Sequence, residues 1–345
     1  MTLNDALVEQ AGHCAALDSP FMARMLPLLG EVWPAGSALD DAVMAFQGEI
    51  GPKGHSLPLR LASGLHALVL TGTDAQLAAA YPPHTVSDAD LASAVQRALT
   101  SHEDFLLSWI TSPPQTNEVR RSAGLIAGVH HLVHRTGVAD LHLSELGASA
   151  GLNLMFDHYG LDVAGARLGP SDPALVLTPD WTGPAPVKSP FSVHDRRGVD
   201  LNPLDPHDPA DALRLRAYLW ADQPHRLALT DAAIAANAAT VDRGDAVDWL
   251  GQRLGSAPKG QMHLIFHTIA WQYFPSEAQA RGTKLIEAAG DRATPETPLA
   301  WLRMEADEGP RGAAVSARLW PGNQTISLAR SDFHGRWVDW EPENP

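Results

Sequence analysis

Leu141-His142-Leu143-Ser144-Glu145-Leu146-Gly147-Ala148-Ser149-Ala150-Gly151-Leu152-Asn153-Leu154 is the stretch on which the fold turns. Its opening residues alternate apolar and polar and predict a buried strand. Five small residues then break the pattern. An apolar run resumes with Leu152, Leu154, Met155 and Phe156, which predicts a helix start. Strand, glycine turn and helix together present backbone N–H groups to a ligand in an α/β sheet. Glycine at 147 and 151 lets the backbone approach that ligand without a Cβ in the way. Two chemical readings share these residues. In one, Glu145 ends the strand, and Gly147, Ala148, Ser149 and Gly151 lie beneath a nucleotide-type cofactor. In the other, Gly147-Ala148-Ser149-Ala150-Gly151 is a G-x-S-x-G elbow with Ser149 as nucleophile. The plain alternative is a small-residue turn that serves helix–sheet packing.

Downstream, strand and helix patterns alternate. Val193 to Asp200 reads as a second strand ending at an acid, with a helix from about Pro209. Ala239-Thr240-Val241 leads to Gly244-Asp245-Ala246 and a helical piece. Met262 to His267 is strongly apolar, and a helix follows Pro275 to about Ala289. Leu299 to Glu305 is a fifth strand, and Ala313–Trp320 with Gln324–Ala329 forms a hairpin around Pro321-Gly322-Asn323. The expectation is a doubly wound sheet, parallel through five strands, with an antiparallel edge. A Pro/Gly-rich segment at about 159–190 reads as an insertion carrying the β-prone Leu175-Val176-Leu177.

Upstream, residues 1–112 look helical throughout, a separate or capping region, and 113–345 form the α/β part. Ser19-Pro20 and Ser56 mark helix starts. Leu91, Val95, Ala98, His102, Phe105 and Trp109 share the face of one long helix, with His102 packed and hydrogen-bonded. Thr111-Ser112-Pro113-Pro114 is a linker. Thr116 or Asn117 caps a further helix that runs to about Arg135 and stops at Thr136-Gly137. Its His130 and His134, four apart, have ligand spacing, but the glutamate of a zinc helix is missing.

The chain of 345 residues has 40 acidic and 25 basic side chains, a net charge of −15, and 45% hydrophobic residues. That balance argues against nucleic acid or an anionic membrane as the main partner; a small-molecule substrate is the expectation that goes with the cofactor reading below. The single cysteine excludes an internal disulfide and a CxxC metal site. With no basic leader and no bilayer-length apolar run, a soluble cytoplasmic protein is expected.

The nucleotide-loop reading predicts an acid at the end of the next strand to hold a ribose, and Asp200 answers to it. Asp245 stands where a carboxylate meets an adenine amine. The plain alternative for each is a turn or helix cap. The elbow reading would take Asp245 or Glu305, then His334, as partners. It lacks preceding strands and an oxyanion loop, which ranks it lower. His267 and Glu305 end two strands on the site edge and are candidate bases. Trp271 and Tyr273 follow His267, and either covers a ligand or packs.

Leu143 to Asn153, with Glu145 and the Gly147–Gly151 loop, resembles the first motif of class I S-adenosylmethionine-dependent methyltransferases. Gly198-Val199-Asp200-Leu201-Asn202-Pro203 is similar to their ribose-binding strand end, Gly244-Asp245-Ala246 to their adenine-side acid, and the closing hairpin to their last two strands. Ser149 stands where many of them have glycine. More closely, Gln115-Thr116-Asn117-Glu118, Glu145 to Leu154, Arg197-Gly198-Val199-Asp200, Trp271-Gln272-Tyr273 and His334-Gly335-Arg336-Trp337-Val338 resemble an uncharacterised bacterial family, domain of unknown function 2332. The resemblance implies a Rossmann-like methyltransferase-type sheet with a C-terminal β-hairpin and an all-α N-terminal region, and S-adenosylmethionine as cofactor. Glu145, Gly147, Ala148, Ser149, Gly151, Asp200, Asp245 and Ala246 would hold the cofactor. His267, Glu305 and Tyr273 are the catalytic candidates, and Asn117, Trp271 and His334 would meet the substrate. Serine hydrolysis and ligand binding without catalysis remain the alternatives.

Overall fold

The computed structural model describes residues 1–255 and 259–343. Its helices are α1 (Leu3–Ala16), α2 (Pro20–Glu31), α3 (Ala38–Met44), α4 (Leu57–Leu70), α5 (Ala75–Ala78), α6 (Asp88–Ser101), α7 (Glu103–Ile110), α8 (Ser122–Thr136), α9 (Pro209–Ala217), α10 (Pro224–Ala235), α11 (Ala246–Arg253) and α12 (Ser276–Gly290). Its strands are β1 (Asp140–Leu146), β2 (Tyr159–Val163), β3 (Ala166–Leu168), β4 (Leu175–Leu177), β5 (Asp180–Thr182), β6 (Ser192–Asp200), β7 (Thr240–Arg243), β8 (Met262–Thr268), β9 (Leu299–Ala306), β10 (Ala313–Trp320), β11 (Gln324–Ser331) and β12 (Trp337–Trp340). No helix among the described residues is long and apolar enough to cross a membrane.

The chain divides into two compact units: Met1–Thr116 with His207–Asp231, and Asn117–Pro206 with Ala232–Pro345. The first is helical. Ser19 caps α2 by accepting from Met22 N, and Ser87 caps α6 by accepting from Asp90 N. Leu7, Met25, Leu26, Leu29, Leu61 and Leu65 form its buried core. The expected single helix through Trp109 is two: the chain bends at His102, whose Nε2 lies 3.2 Å from Asp74 Oδ2. Asp74 also takes two bonds from Arg97.

The second unit is built on a nine-stranded sheet in the order β5-β12-β11-β10-β9-β8-β1-β6-β7. β7, β6, β1, β8 and β9 are mutually parallel, as the alternation of patterns predicts. β10, β11 and β12 continue antiparallel, so the expected closing hairpin is extended by the aromatic tail. The 159–190 segment carries a small sheet, β3-β2-β4, and then β5, which pairs with β12 and covers that end of the main sheet. Strand faces alternate. Leu146, Ile265 and Trp301 face α11 and α12 and pack with Leu250 and Ile286. On the other face α8 lies so close that a Cβ at Gly128 would stand 3.0 Å from Leu302.

Two local expectations change. No α-helix follows the glycine loop; Asn153–His158 is a 3₁₀ segment leading straight into β2. Tyr159 Oη donates to Leu152 O at 2.6 Å and Arg196 Nη1 to Leu154 O at 2.8 Å. These are carbonyls that an α-helix would give to residues 156 and 158. The helix after the linker is capped by neither Thr116 nor Asn117: Glu118 caps a 3₁₀ turn, Val119–Arg121, and α8 begins at Ser122. Gly137 ends α8 in the left-handed conformation, as expected.

Candidate functional site

The chain runs from β1 to β6 on one side and to β8 on the other, so the strand order reverses between β1 and β8. Ligands bind outside the carboxyl ends of strands at such a point. Two connections meet there, 147–152 after β1 and 269–275 after β8. A Cβ on Gly147 would lie 2.7 Å from Ala270 Cβ.

The first connection is fastened to its neighbours. Gly147 N and Ala148 N both donate to Val199 O, at 2.9 and 3.0 Å, and Gly151 N donates to Ala148 O at 2.7 Å. Ser149 N donates to Asp200 Oδ2 at 2.9 Å, and Leu152 N to Asn117 Oδ1 at 2.9 Å. Gly147, Ser149 and Gly151 all have positive φ: 69°, 53° and 72°. At 151 the glycine also serves packing, since a Cβ would stand 2.9 Å from Val241 Cγ2. Asp200 accepts from Asn202 N through its other oxygen at 2.8 Å. Asp200 is therefore the turn cap weighed from its sequence, each oxygen accepting one backbone N–H. Asp245 caps α11, accepting from Val247 N and Asp248 N, and meets Arg281 at 3.3 Å. Ala246 is the buried first residue of that helix.

Glu145 differs from both. It is 1% exposed, and among the described residues Oε2 has no hydrogen-bond partner. Burial pushes its carboxyl well above the ordinary value, Asp200 adds to the shift, and the Arg121 guanidinium opposes it. Its cross-strand partners are Gly198 and Phe266, and Phe156 meets Phe266 edge-on at 5.8 Å.

The second connection is held by side chains. Trp301 Nε1 donates to His267 Nε2 at 2.9 Å, and His267 Nδ1 donates to Glu305 Oε1 at 2.6 Å. Glu305 also accepts from the backbone N–H groups of Ala270, Trp271 and Gln272. Burial raises the Glu305 carboxyl, but the His267 contact and the amides outweigh it and hold the group below its usual range. In this arrangement the Nε2 lone pair of His267 is taken by an indole N–H and its Nδ1 proton by a carboxylate, so neither ring nitrogen faces a substrate. Trp271 stacks on His267, centroids 5.2 Å apart and planes at 15°. Tyr273 is 72% exposed. Ile269, a β-branched residue, sits at φ 52°. Left-handed residues of that type are rare and gather at functional sites.

The tail reaches the same edge. Arg121 Nε donates to Phe333 O at 2.9 Å and Nη1 to Thr268 O at 3.3 Å. His334, half-buried, donates its backbone N–H to Asp332, which Arg336 grips with two bonds.

The family model described as an uncharacterised protein conserved in bacteria, DUF2332, matches residues 4–340. The chain belongs to the DUF2332 family. No curated protein matches it. In this DUF2332 chain the carboxyl edge thus carries Glu145, Asp200 and Asp245 on or just after three parallel strands, with Asn117 and the Trp271 turn beside them. Among the described residues no three metal-ligating side chains converge. Of the histidines at ligand spacing, His130 accepts from Ser189 N at 3.0 Å. Arg121, Asn153 and Ile269 belong to this edge but were not singled out from the sequence. Asn153 lay within the quoted stretch, while Arg121 and Ile269 carry no signal of their own there.

Proposed function

We propose that the chain is an S-adenosylmethionine-dependent methyltransferase of the Rossmann-like type, acting on a small-molecule acceptor. The observation that carries this reading is the strand order. Numbered along the parallel core, β7-β6-β1-β8-β9 is 3-2-1-4-5, the doubly wound order that binds nucleotides at its reversal point. The acids fit a nucleoside. Asp200 would hold ribose hydroxyls, and Asp245 would meet the adenine amine. The cofactor supplies a methyl group on a sulfonium, which an acceptor takes by in-line attack. The protein's own part is to orient the two reactants. His267 and Glu305 serve this by fixing the turn that carries Trp271 and Tyr273 at the site edge. Calorimetry with S-adenosylmethionine and S-adenosylhomocysteine tests the reading: saturable binding of either supports it.

One observation favours the elbow reading. Ser149 has the positive φ that a strained nucleophile turn would show. The two separate by labelling: a fluorophosphonate probe modifies a nucleophilic Ser149 and leaves a cofactor-loop serine untouched. Cofactor binding without turnover of any acceptor would leave a ligand-binding protein on this fold.

A further inference from the structure

Among the described residues of the second unit, three arginines stack on a tryptophan ring and also hold a carboxylate. Arg253 lies 5.9 Å from the Trp249 centroid and pairs with Asp195. Arg311 lies 4.0 Å from that of Trp337 and pairs with Asp339. Arg318 lies 4.8 Å from that of Trp320 and pairs with Glu287 at 2.8 Å. Stacking occupies the face of a guanidinium, and its in-plane N–H groups remain for the carboxylate. A fourth arginine, Arg303 on β9, stacks in the same way, 4.7 Å from the Trp301 centroid. Among the described residues its guanidinium makes one hydrogen bond, Nη2 to Ser316 Oγ at 3.3 Å, and no ion pair, and its Nε is buried without a partner. Burial draws its pKa below the ordinary value, the Arg318 charge adds to the shift, and Glu305 opposes it. The group still carries its charge, and a charge drawn out of water calls for a counter-ion.

We propose that Arg303 and Ser316 form a binding site for the carboxylate of a small molecule, which takes the place that Asp339 and Glu287 fill at the other stacked arginines. The two residues are direct partners across β9 and β10, and Ser316 is in turn the partner of Ser327 on β11. Arg303 and Ser316 are half-buried and Ser327 is exposed, so this row opens to solvent at one end. The Ser316 hydroxyl accepts from the guanidinium and keeps its own proton to donate to the anion. Arg318, two residues along β10 on the same face, adds positive charge. Glu305, two residues along β9, is the opposing charge, and its carboxylate is engaged by His267 Nδ1 and the amides of the β8 turn. Trp301 holds the guanidinium plane in place, which favours a planar, two-oxygen partner. The proposal does not depend on the cofactor reading.

The full chain is titrated with sodium formate, and separately with sodium phosphate, at an ionic strength held constant with chloride and without S-adenosylmethionine. Nitrogen-15 NMR follows the Arg303 Nε–H, and thermal shift gives the concentration of half-maximal response. Formate is expected to move the Arg303 resonance and to raise the melting temperature, both saturably. Arg303→Lys keeps the charge but loses the planar fork, and it should weaken the response by about tenfold. Ser316→Ala, which removes one hydroxyl donor, should weaken it by roughly threefold. An unmoved Arg303 resonance, a response that does not saturate, or an unchanged response in Arg303→Lys overturns the site. A response to phosphate alone overturns the carboxylate assignment. Should Arg303→Lys fail to fold, the NMR titration of the parent and the Ser316→Ala comparison decide: an unmoved resonance, or a formate midpoint the same in both proteins, overturns the proposal.

Discussion

The two connections at the reversal point answer the same geometric demand in different ways. Each must turn the chain sharply over the sheet, and each uses a non-glycine residue at positive φ, Ser149 in one and Ile269 in the other. After β8 the turn is held by a buried relay, Trp301 to His267 to Glu305, with three backbone amides converging on the same carboxylate. After β1 the loop is fastened by backbone bonds to Val199 O and by four separate side chains, Asp200, Asn117, Asn237 and Tyr159, with no shared hub. The acid at the end of β1, Glu145, has no bond at Oε2 among the described residues. One side is over-determined, and the other keeps a buried carboxyl oxygen without a partner among the described residues.

The sharpest way to break that contrast is at Glu305. Glu305→Ala leaves the His267 Nδ1–H and several amides without their acceptor, and should cost about 3 kcal/mol, read from denaturant unfolding. An unchanged midpoint would mean that the relay does not hold the turn. Next is Gly147→Val, which puts a side chain against Ala270 at a positive φ. It should lose roughly 2 kcal/mol in the same assay, and because Ala270 occupies the space, that loss comes without any ligand present. A smaller effect is expected of Trp301→Phe. It removes the one donor to His267 Nε2 and should cost about 1 kcal/mol, read from the same denaturant unfolding.

Much of this architecture was legible in the sequence. The strand pattern from Leu141 onward predicts the five parallel strands, because apolar runs ending at a turn and followed by helical periodicity leave few other topologies. The tail was legible only in part. The spacing of Trp337 and Trp340 does not announce a strand, and β12 forms because β11 offers it an edge. The missing α-helix after Gly151 was not legible at all. It is suppressed by Arg196 and Tyr159, whose side chains take carbonyls from a segment that is helical by pattern. The acids were found, but their plain roles as caps depend on which backbone N–H comes near. His267 reads as a base from its place at a strand end, yet Trp301, 34 residues away, occupies its nitrogen.

The pH dependence of stability separates the two sides further. Glu145 is raised in the folded state, so its contribution is fully present below its ordinary value of 4.5 and is lost as pH rises through the folded value. Glu145→Gln should therefore gain stability relative to the parent as pH increases from 4 toward 8, with no relative gain at the acid end. Thermal melts across that range check it, and a pH-independent difference would remove the neutral-carboxyl account. Deeper in the same sheet, His142 and His263 meet ring to ring at 4.7 Å beside Arg253. Burial first, and then neighbouring positive charge, lowers both. Their stabilisation is complete above 6.5 and falls as pH drops below it. This histidine contribution should fall on mild acidification, so stability relative to the parent should shift in favour of His263→Gln as pH drops below 6.5, read from melts of both proteins across the same range.

Isothermal calorimetry of the full chain with S-adenosylmethionine, run in parallel on the parent and on Asp200→Asn, tests the central claim most directly. The account predicts saturable binding to the parent and about tenfold weaker binding to the variant, a difference of about 1.4 kcal/mol, with both proteins folded. A folded parent that binds neither S-adenosylmethionine nor S-adenosylhomocysteine would contradict it.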